Sequence, residues 1–310
     1  MDVLFLVPFP LIRLFVCFFH PSLNSQVLIS TAIFKPFSSN YNFLEHSTTM
    51  SSSEAYLPLK GKTAIVTGSS RGLGAGMAYE LAKRGADVVL TYTSPSSSTL
   101  ISSLSSKISL LPHKTSTHSV IADLTKVDSP DKIVQSIKDW RGGDPKIDIM
   151  VNNAGVEMNK KLGDLTAQDF AHVYDLNVRG TLLMTQAVLP YLQPHSRIIN
   201  IGSVASRVGF AGFSLYCSSK AALEGLTRVW AVELGGNGTT VNMVNPGPVD
   251  SAMLKNIPKE IVEKQKGETP VEKRLGTTEE VADIVAWLAG RDSRWVTGQT
   301  ISASGGWALY

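Results

Sequence analysis

The sequence predicts an α/β fold: a single doubly wound parallel sheet with helices on both faces. Three observations carry that expectation. Short β-branched runs alternate with longer helical patterns from Leu57 to the end. Most of the runs are nearly unbroken apolar stretches, as expected of parallel strands covered on both faces. A glycine-rich turn also joins the first run to the helix that follows it.

Taken in order, the strand candidates are Thr63–Thr67, Asp87–Thr91, Ile147–Asn152, Arg197–Ile201, Thr240–Val244 and Thr300–Ala303. The helices between them have readable starts. Ser129-Pro130 offers an N-cap followed by proline at the first helical position. Thr166 with Asp169, and Thr277 with Glu280, have capping-box spacing. Val281, Ile284, Val285 and Leu288 fall at i, i+3, i+4 and i+7, one buried helical face. The Ser-rich stretch Ser94–Ser106 reads as a weak exposed helix or a loop.

Composition bounds the function. The chain has 310 residues, 43% hydrophobic and 18% charged, with a net charge of +3. Such an apolar fraction supports a packed core and excludes wholesale disorder. The charge is too small for a nucleic-acid-binding surface. Two cysteines, Cys17 and Cys217, lack metal-ligand spacing and build no disulfide framework, so no metal site is expected.

Residues 1–56 are read as an N-terminal extension and residues 57–310 as the folded domain. The apolar run Val3–Phe19 is near the lower limit for spanning a bilayer and is interrupted by Pro8, Pro10 and Arg13. It also lacks the basic lead of a secretory signal. The preferred reading is a dispensable leader with Met50 as the working start; a weak membrane anchor is the alternative. The expected location is cytoplasmic.

The first strand leads into Thr67-Gly68-Ser69-Ser70-Arg71-Gly72-Leu73-Gly74. A glycine turn between strand and helix lets backbone approach a pyrophosphate, whose charge the helix N-terminus stabilises; this makes the sheet Rossmann-like. The second strand ends at Tyr92, followed by Thr93 and Ser94, where an NAD site would carry an acid for the ribose hydroxyls. The missing acid and Arg71 in the turn together favour NADP(H). Arg71 as a merely solvated turn residue is the competing reading.

Tyr216 and Lys220 lie four apart on one face of the helical stretch Leu215–Leu234. An ordinary phenol has a pKa near ~10, and a neighbouring ammonium is expected to lower it, giving an acid/base device for carbonyl–alcohol interconversion. Alone, Tyr-x-x-x-Lys also marks ordinary surface helices. Ser203 follows a strand at the carboxyl edge of the sheet, where open α/β folds bind ligands.

With Asn152-Asn153-Ala154-Gly155, Asp123, Asn177, Asn245-Pro246-Gly247-Pro248-Val249, Arg274-Leu275-Gly276 and Thr297–Gly306, these elements resemble the short-chain dehydrogenase/reductase family over about Leu57–Trp307. The resemblance implies that Tyr216 is the general acid, that Lys220 lowers its pKa and holds the nicotinamide ribose, and that Ser203 binds the substrate oxygen. It implies that Asn177 supports a proton-relaying water. It assigns Asp123 to the adenine, Asn153 to the adenosine side, and Val249 and Ser251 to the carboxamide. Two departures stand out. Gly202 replaces a second serine common in relatives, and Ser251 replaces the commoner threonine.

Candidate pocket residues are Met158, Val208, Phe210, Phe213, Met253, Leu254 and Ile257, an apolar lining that favours a hydrophobic or aromatic small-molecule ketone. The resemblance extends to 3-oxoacyl-carrier-protein reductases and to reductases of aromatic polyketide pathways. For an acidic carrier, Lys255, Lys259, Lys264 and Lys266 are candidates, but Glu260, Glu263 and Glu268 interleave with them. A non-catalytic NADP(H) sensor is the alternative from another class. The resemblance further implies a homodimer or homotetramer.

Overall fold

Seven strands build the sheet: β1 (Thr63–Val66), β2 (Asp87–Tyr92), β3 (Thr117–Ile121), β4 (Ile147–Asn152), β5 (Leu192–Ile201), β6 (Thr240–Pro246) and β7 (Thr300–Ala303). Every pairing is parallel, in the order β3-β2-β1-β4-β5-β6-β7. The computed structural model describes residues 56–250 and 259–310. The Val3–Phe19 run, Met50, Ser251, Met253, Leu254, Lys255 and Ile257 therefore lie outside the described residues.

The helices are α1 (Gly72–Lys83), α2 (Ser98–Ser109), α3 (Ser129–Arg141), α4 (Ala167–Tyr174), α5 (Thr181–Val188), α6 (Ser214–Leu234), α7 (Lys259–Glu268) and α8 (Thr278–Ala289). Alternation along each strand divides the apolar residues between two cores. Ala64, Val66, Val88, Leu90, Ile149 and Val151 face α1, α2 and α8, while Ile65, Val89, Ile147 and Met150 face α3, α5 and α6. Between the strand centres and the second layer, Asn152 Nδ2 donates to Thr185 Oγ1 and Asn200 Oδ1, and Asn200 Nδ2 donates to Thr227 Oγ1. Those buried bonds tie β4 and β5 to α5 and α6, with Asn152 Oδ1 left without a partner among the described residues.

Both expected capping boxes form. Other local expectations are resolved or changed. The N-cap of α3 is Asp128, which puts Ser129 and Pro130 inside the helix. Of the two readings of the Ser-rich stretch the helix forms, from Ser98 after a short 3-10 turn; it is largely exposed, with Ile101 and Leu104 reaching the core. Strand β3 was not among the strand candidates; it is an edge strand, and of its five residues only Val120 is buried. Among the described residues no helix is long and apolar enough to cross a membrane.

Chain order reverses around β1: β2 and β3 lie to one side, β4 through β7 to the other. That switch point opens a crevice at the carboxyl ends of β1 and β4.

Candidate active site

Around this crevice the glycine turn is held by side chains rather than by its own sequence alone. Asn153 Nδ2, just past β4, donates to the carbonyls of Thr67 (2.8 Å) and Gly68 (3.1 Å). Thr67 Oγ1 accepts from the backbone N–H groups of Asn153 and Ala154. On the other side, Ser69 N donates to the Thr91 carbonyl and Gly68 N to Thr91 Oγ1. Gly68 adopts φ +65° and Gly72 φ +56°, left-handed values that favour glycine. At Gly74 a Cβ would sit 2.2 Å from the Gly68 carbonyl oxygen, so only glycine lets α1 approach the strand so closely.

The first turn of α1 contains no acidic residue, and its N-cap, Arg71, makes no capping bond through its side chain. Its N–H groups are thus available to an anion. Arg71 is exposed and pairs with no carboxylate among the described residues. Tyr92 ends β2, half-buried, and Ser94 accepts from Ser96 N, so hydroxyls rather than a carboxylate mark that rim. Asp123 Oδ1 accepts from Thr125 N and Oγ1, which fixes its carboxylate beyond β3.

Next to the crevice, Gly202 and Ser203 follow β5. Ser203 Oγ accepts from Ala205 N at 3.1 Å, and the Ser203 side chain is close enough to Tyr216 to act on its pKa. Lys220 is buried one turn along α6, and its Nζ donates to the Ile201 carbonyl at 2.9 Å. The same Nζ stands 5.9 Å from the centre of the Tyr216 ring.

Asn177 occupies a π-helical turn, Asp175–Gly180, between α4 and α5. Such turns redirect a side chain by one residue's worth of extra backbone. Its Oδ1 accepts from Val156 N and its Nδ2 donates to the Val156 carbonyl and Ser219 Oγ. A Cβ on Gly155 would lie 3.2 Å from both Asn177 Oδ1 and Lys220 Nζ, so these two groups flank one bare stretch of backbone.

Electrostatics departs from the expectation of an acidified phenol. Burial pushes Tyr216 up to about 12; the Ser203 hydrogen bond opposes that rise, and the negative charge of Glu157 adds to it. Burial also brings Lys220 down to about 8. Desolvation disfavours whichever form of each group is charged, and it is the largest cause of both shifts.

A protein-family model described as Enoyl-(Acyl carrier protein) reductase matches residues 68–308. The chain belongs to the short-chain dehydrogenase/reductase family. Among its relatives is the short-chain dehydrogenase/reductase FrzI of Cladobotryum sp, 43% identical over 255 residues, which span 80% of this chain and 96% of that protein. The hydroxynaphthalene reductase arp2 of Aspergillus fumigatus is 35% identical over 259 residues, 80% of this chain and 92% of the relative. The angucycline C-6 ketoreductase LanV, solved with bound NADP, superposes with a TM-score of 0.74 at 31% identity, covering 80% of this chain and 96% of LanV.

In this short-chain dehydrogenase/reductase, the sequence-predicted residues Ser203, Tyr216, Lys220, Asn177 and Gly155 gather at one edge. Gly68, Ser70, Gly72, Leu73, Gly74, Asn153 and Ala154 surround the neighbouring turn. Gly247 N donates to the Ala303 carbonyl, and Val249 bridges to Gly276, which joins the Pro246–Val249 and Arg274–Gly276 segments. Both amide hydrogens of Asn153 are used on the glycine turn, so its side chain braces the cradle.

Sequence reasoning missed Thr67, Thr91, Ser219 and Glu157. Their signals were faint: hydroxyls ending β1 and β2, the residue before Lys220, and an acid two places after Gly155.

Proposed function

We propose that this chain is an NADPH-dependent ketoreductase acting on a hydrophobic or aromatic small-molecule ketone. Convergence of the Tyr216 hydroxyl on Ser203, with Lys220 and Asn177 flanking Gly155, carries this reading. NADPH fits the residues present: the glycine cradle and bare α1 N-terminus would hold its pyrophosphate, Arg71 its 2′-phosphate, Asp123 its adenine, and the Gly247–Val249 loop with Ser251 its carboxamide. When bound it supplies the hydride.

The protein's own groups manage the oxygen. Ser203 donates a hydrogen bond to the substrate carbonyl oxygen as negative charge develops there. Tyr216, kept protonated by burial, delivers its hydroxyl proton to that oxygen. Lys220 remains mainly an ammonium at neutral pH and favours the phenolate left behind. Asn177 fixes the Val156 backbone on the opposite side.

Support for an apolar substrate comes from Met158, Val208, Phe213 and Trp307, all half-buried, and from Phe210, which is exposed. An acidic carrier protein finds less to bind, because Lys264 pairs with Glu268 and Lys266 with Glu263 on α7. The reading includes a cytoplasmic homodimer or homotetramer, for which exposed Val229 and Val232 on α6 offer apolar surface.

The test is NADPH oxidation with a panel of aromatic and aliphatic ketones. Tyr216→Phe is expected to lose about 10³-fold in kcat, and Ser203→Ala about 10²-fold. Tight NADPH binding without turnover of any ketone would favour the sensor, and full activity in Tyr216→Phe would remove the proposed acid.

A further inference from the structure

Beyond the site itself, a polar network, buried at Glu224 and Asn245 and exposed at Arg207 and Tyr310, joins the loop carrying Ser203 to the segment after β7. Glu224 lies one turn past Lys220 on α6 and is buried. Its carboxylate accepts from Arg207 Nε (2.9 and 3.1 Å to its two oxygens) and from Ser206 Oγ (2.5 Å). Ser206 Oγ in turn lies 2.8 Å from the Ser203 carbonyl. From β6, Asn245 Nδ2 reaches Ser206 Oγ (2.9 Å), Glu224 Oε1 (3.2 Å) and the Tyr310 hydroxyl (2.9 Å). The Arg207 guanidinium stacks over the Tyr310 ring at 4.2 Å.

Gly202 makes the network possible. A Cβ there would fall 2.0 Å from Asn245 Oδ1 and from Met243 Cε, so the side chain of Asn245 fills the space that a serine would need. Burial raises the Glu224 carboxyl, but hydrogen bonds from Arg207, Ser206 and Asn245 outweigh it and hold Glu224 below its ordinary range. The ion pair is therefore a satisfied one whose partners are costly to remove singly.

A second set of contacts runs in parallel. Trp307 stacks on Phe210 (5.8 Å between centres), Phe210 meets Phe213 edge-on, and Phe213 meets Tyr216 edge-on. The segment after β7 thus touches the Ser203–Phe213 loop at both ends, by charge through Tyr310 and by aromatic packing through Trp307.

We propose that Trp307–Tyr310 is a latch that holds the Ser203–Phe213 loop in its working position, with Arg207, Glu224 and Asn245 as positioning residues. None of the three is a catalytic residue. The latch sets where Ser203 and Phe210 stand relative to Tyr216, so it acts on the ketone side of the site. The proposal rests on the ketoreductase reading for its kinetic consequence, not for its structural one.

Two measurements separate those dependences. Hydrogen exchange of the peptide covering residues 204–213 is expected to quicken in Tyr310→Phe, which deletes one hydroxyl and retains the ring, and more so in Arg207→Gln. With a ketone substrate, Tyr310→Phe is expected to raise KM about fivefold, the effect of one hydrogen bond. Arg207→Gln should lower kcat/KM at least about tenfold by stranding Glu224. NADPH affinity should stay within about twofold of wild type in both, a split that general unfolding would not produce. Leu309→Ala, an exposed neighbour, should behave as wild type.

Unchanged exchange in both variants overturns the latch, whether or not any ketone is turned over. Equal losses of NADPH affinity and ketone turnover, tracking Tm, overturn the positioning role. If exchange quickens while no ketone is reduced by the wild type, the latch stands and the ketoreductase reading falls.

Discussion

Lys220 shows how residue-level chemistry differs from what spacing suggests. The four-residue interval to Tyr216 predicted their common face, and Ser203 was legible from its place after a strand. The direction of the Tyr216 shift was not, because it depends on how much protein closes over the phenol. Burying an ammonium that goes from 10.5 to about 8 costs the folded state about 3 kcal/mol at neutral pH. The sign follows from proton binding. Between pH 8 and 10.5 the unfolded chain keeps a proton that the folded chain has released, so wild-type stability rises with pH across that window. Lys220→Met is therefore expected to abolish ketone reduction yet to be more stable than wild type by about 2–3 kcal/mol at pH 7. That gain should fade toward pH 10.5. Urea unfolding at pH 7, 9 and 10.5 checks it; a variant less stable than wild type at pH 7 would contradict the burial cost.

Among the elements, those with strong internal patterns were legible, and those made by their surroundings were not. The central strands β1, β2 and β4 are apolar on both faces, and α8 carries its own capping box. By contrast β3 is an edge strand with a mostly polar sequence, and its identity comes from pairing with β2. The π turn that aims Asn177 leaves no composition signal. The glycine turn was visible as spacing, but the reason each glycine is needed differs. At Gly72 no atom lies within 4 Å of a built Cβ, so Gly72→Ala meets only left-handed strain of about 1–2 kcal/mol. At Gly74 the Cβ would strike the Gly68 carbonyl at 2.2 Å and Asn153 Nδ2 at 2.6 Å. Gly74→Ala should then cost about 2–3 kcal/mol by overpacking and also displace the cradle. Calorimetric NADPH binding is expected to weaken at least about tenfold in Gly74→Ala and much less in Gly72→Ala. The reverse order would mean that conformation, not closeness of approach, governs the turn.

For the whole molecule, the remaining question is what part of the chain the fold requires. Both cores draw on residues from Leu59 onward among the described residues, and all seven strands follow it. The family match likewise runs from residue 68 to 308. The apolar run Val3–Phe19 lies outside the described residues and ahead of the family match. A chain started at Met50 is expected to keep Tm within about 2 °C of the full sequence, since less than about 1 kcal/mol should be lost. Its ketone kcat/KM should be unchanged, and its soluble yield should rise. Fractionation of the two chains side by side adds the discriminating arm. If the full sequence sediments with membranes and the Met50 chain does not, the leader is an anchor on an otherwise independent enzyme. If the Met50 chain loses several degrees of Tm, the leader packs on the domain and the boundary drawn at residue 57 is wrong.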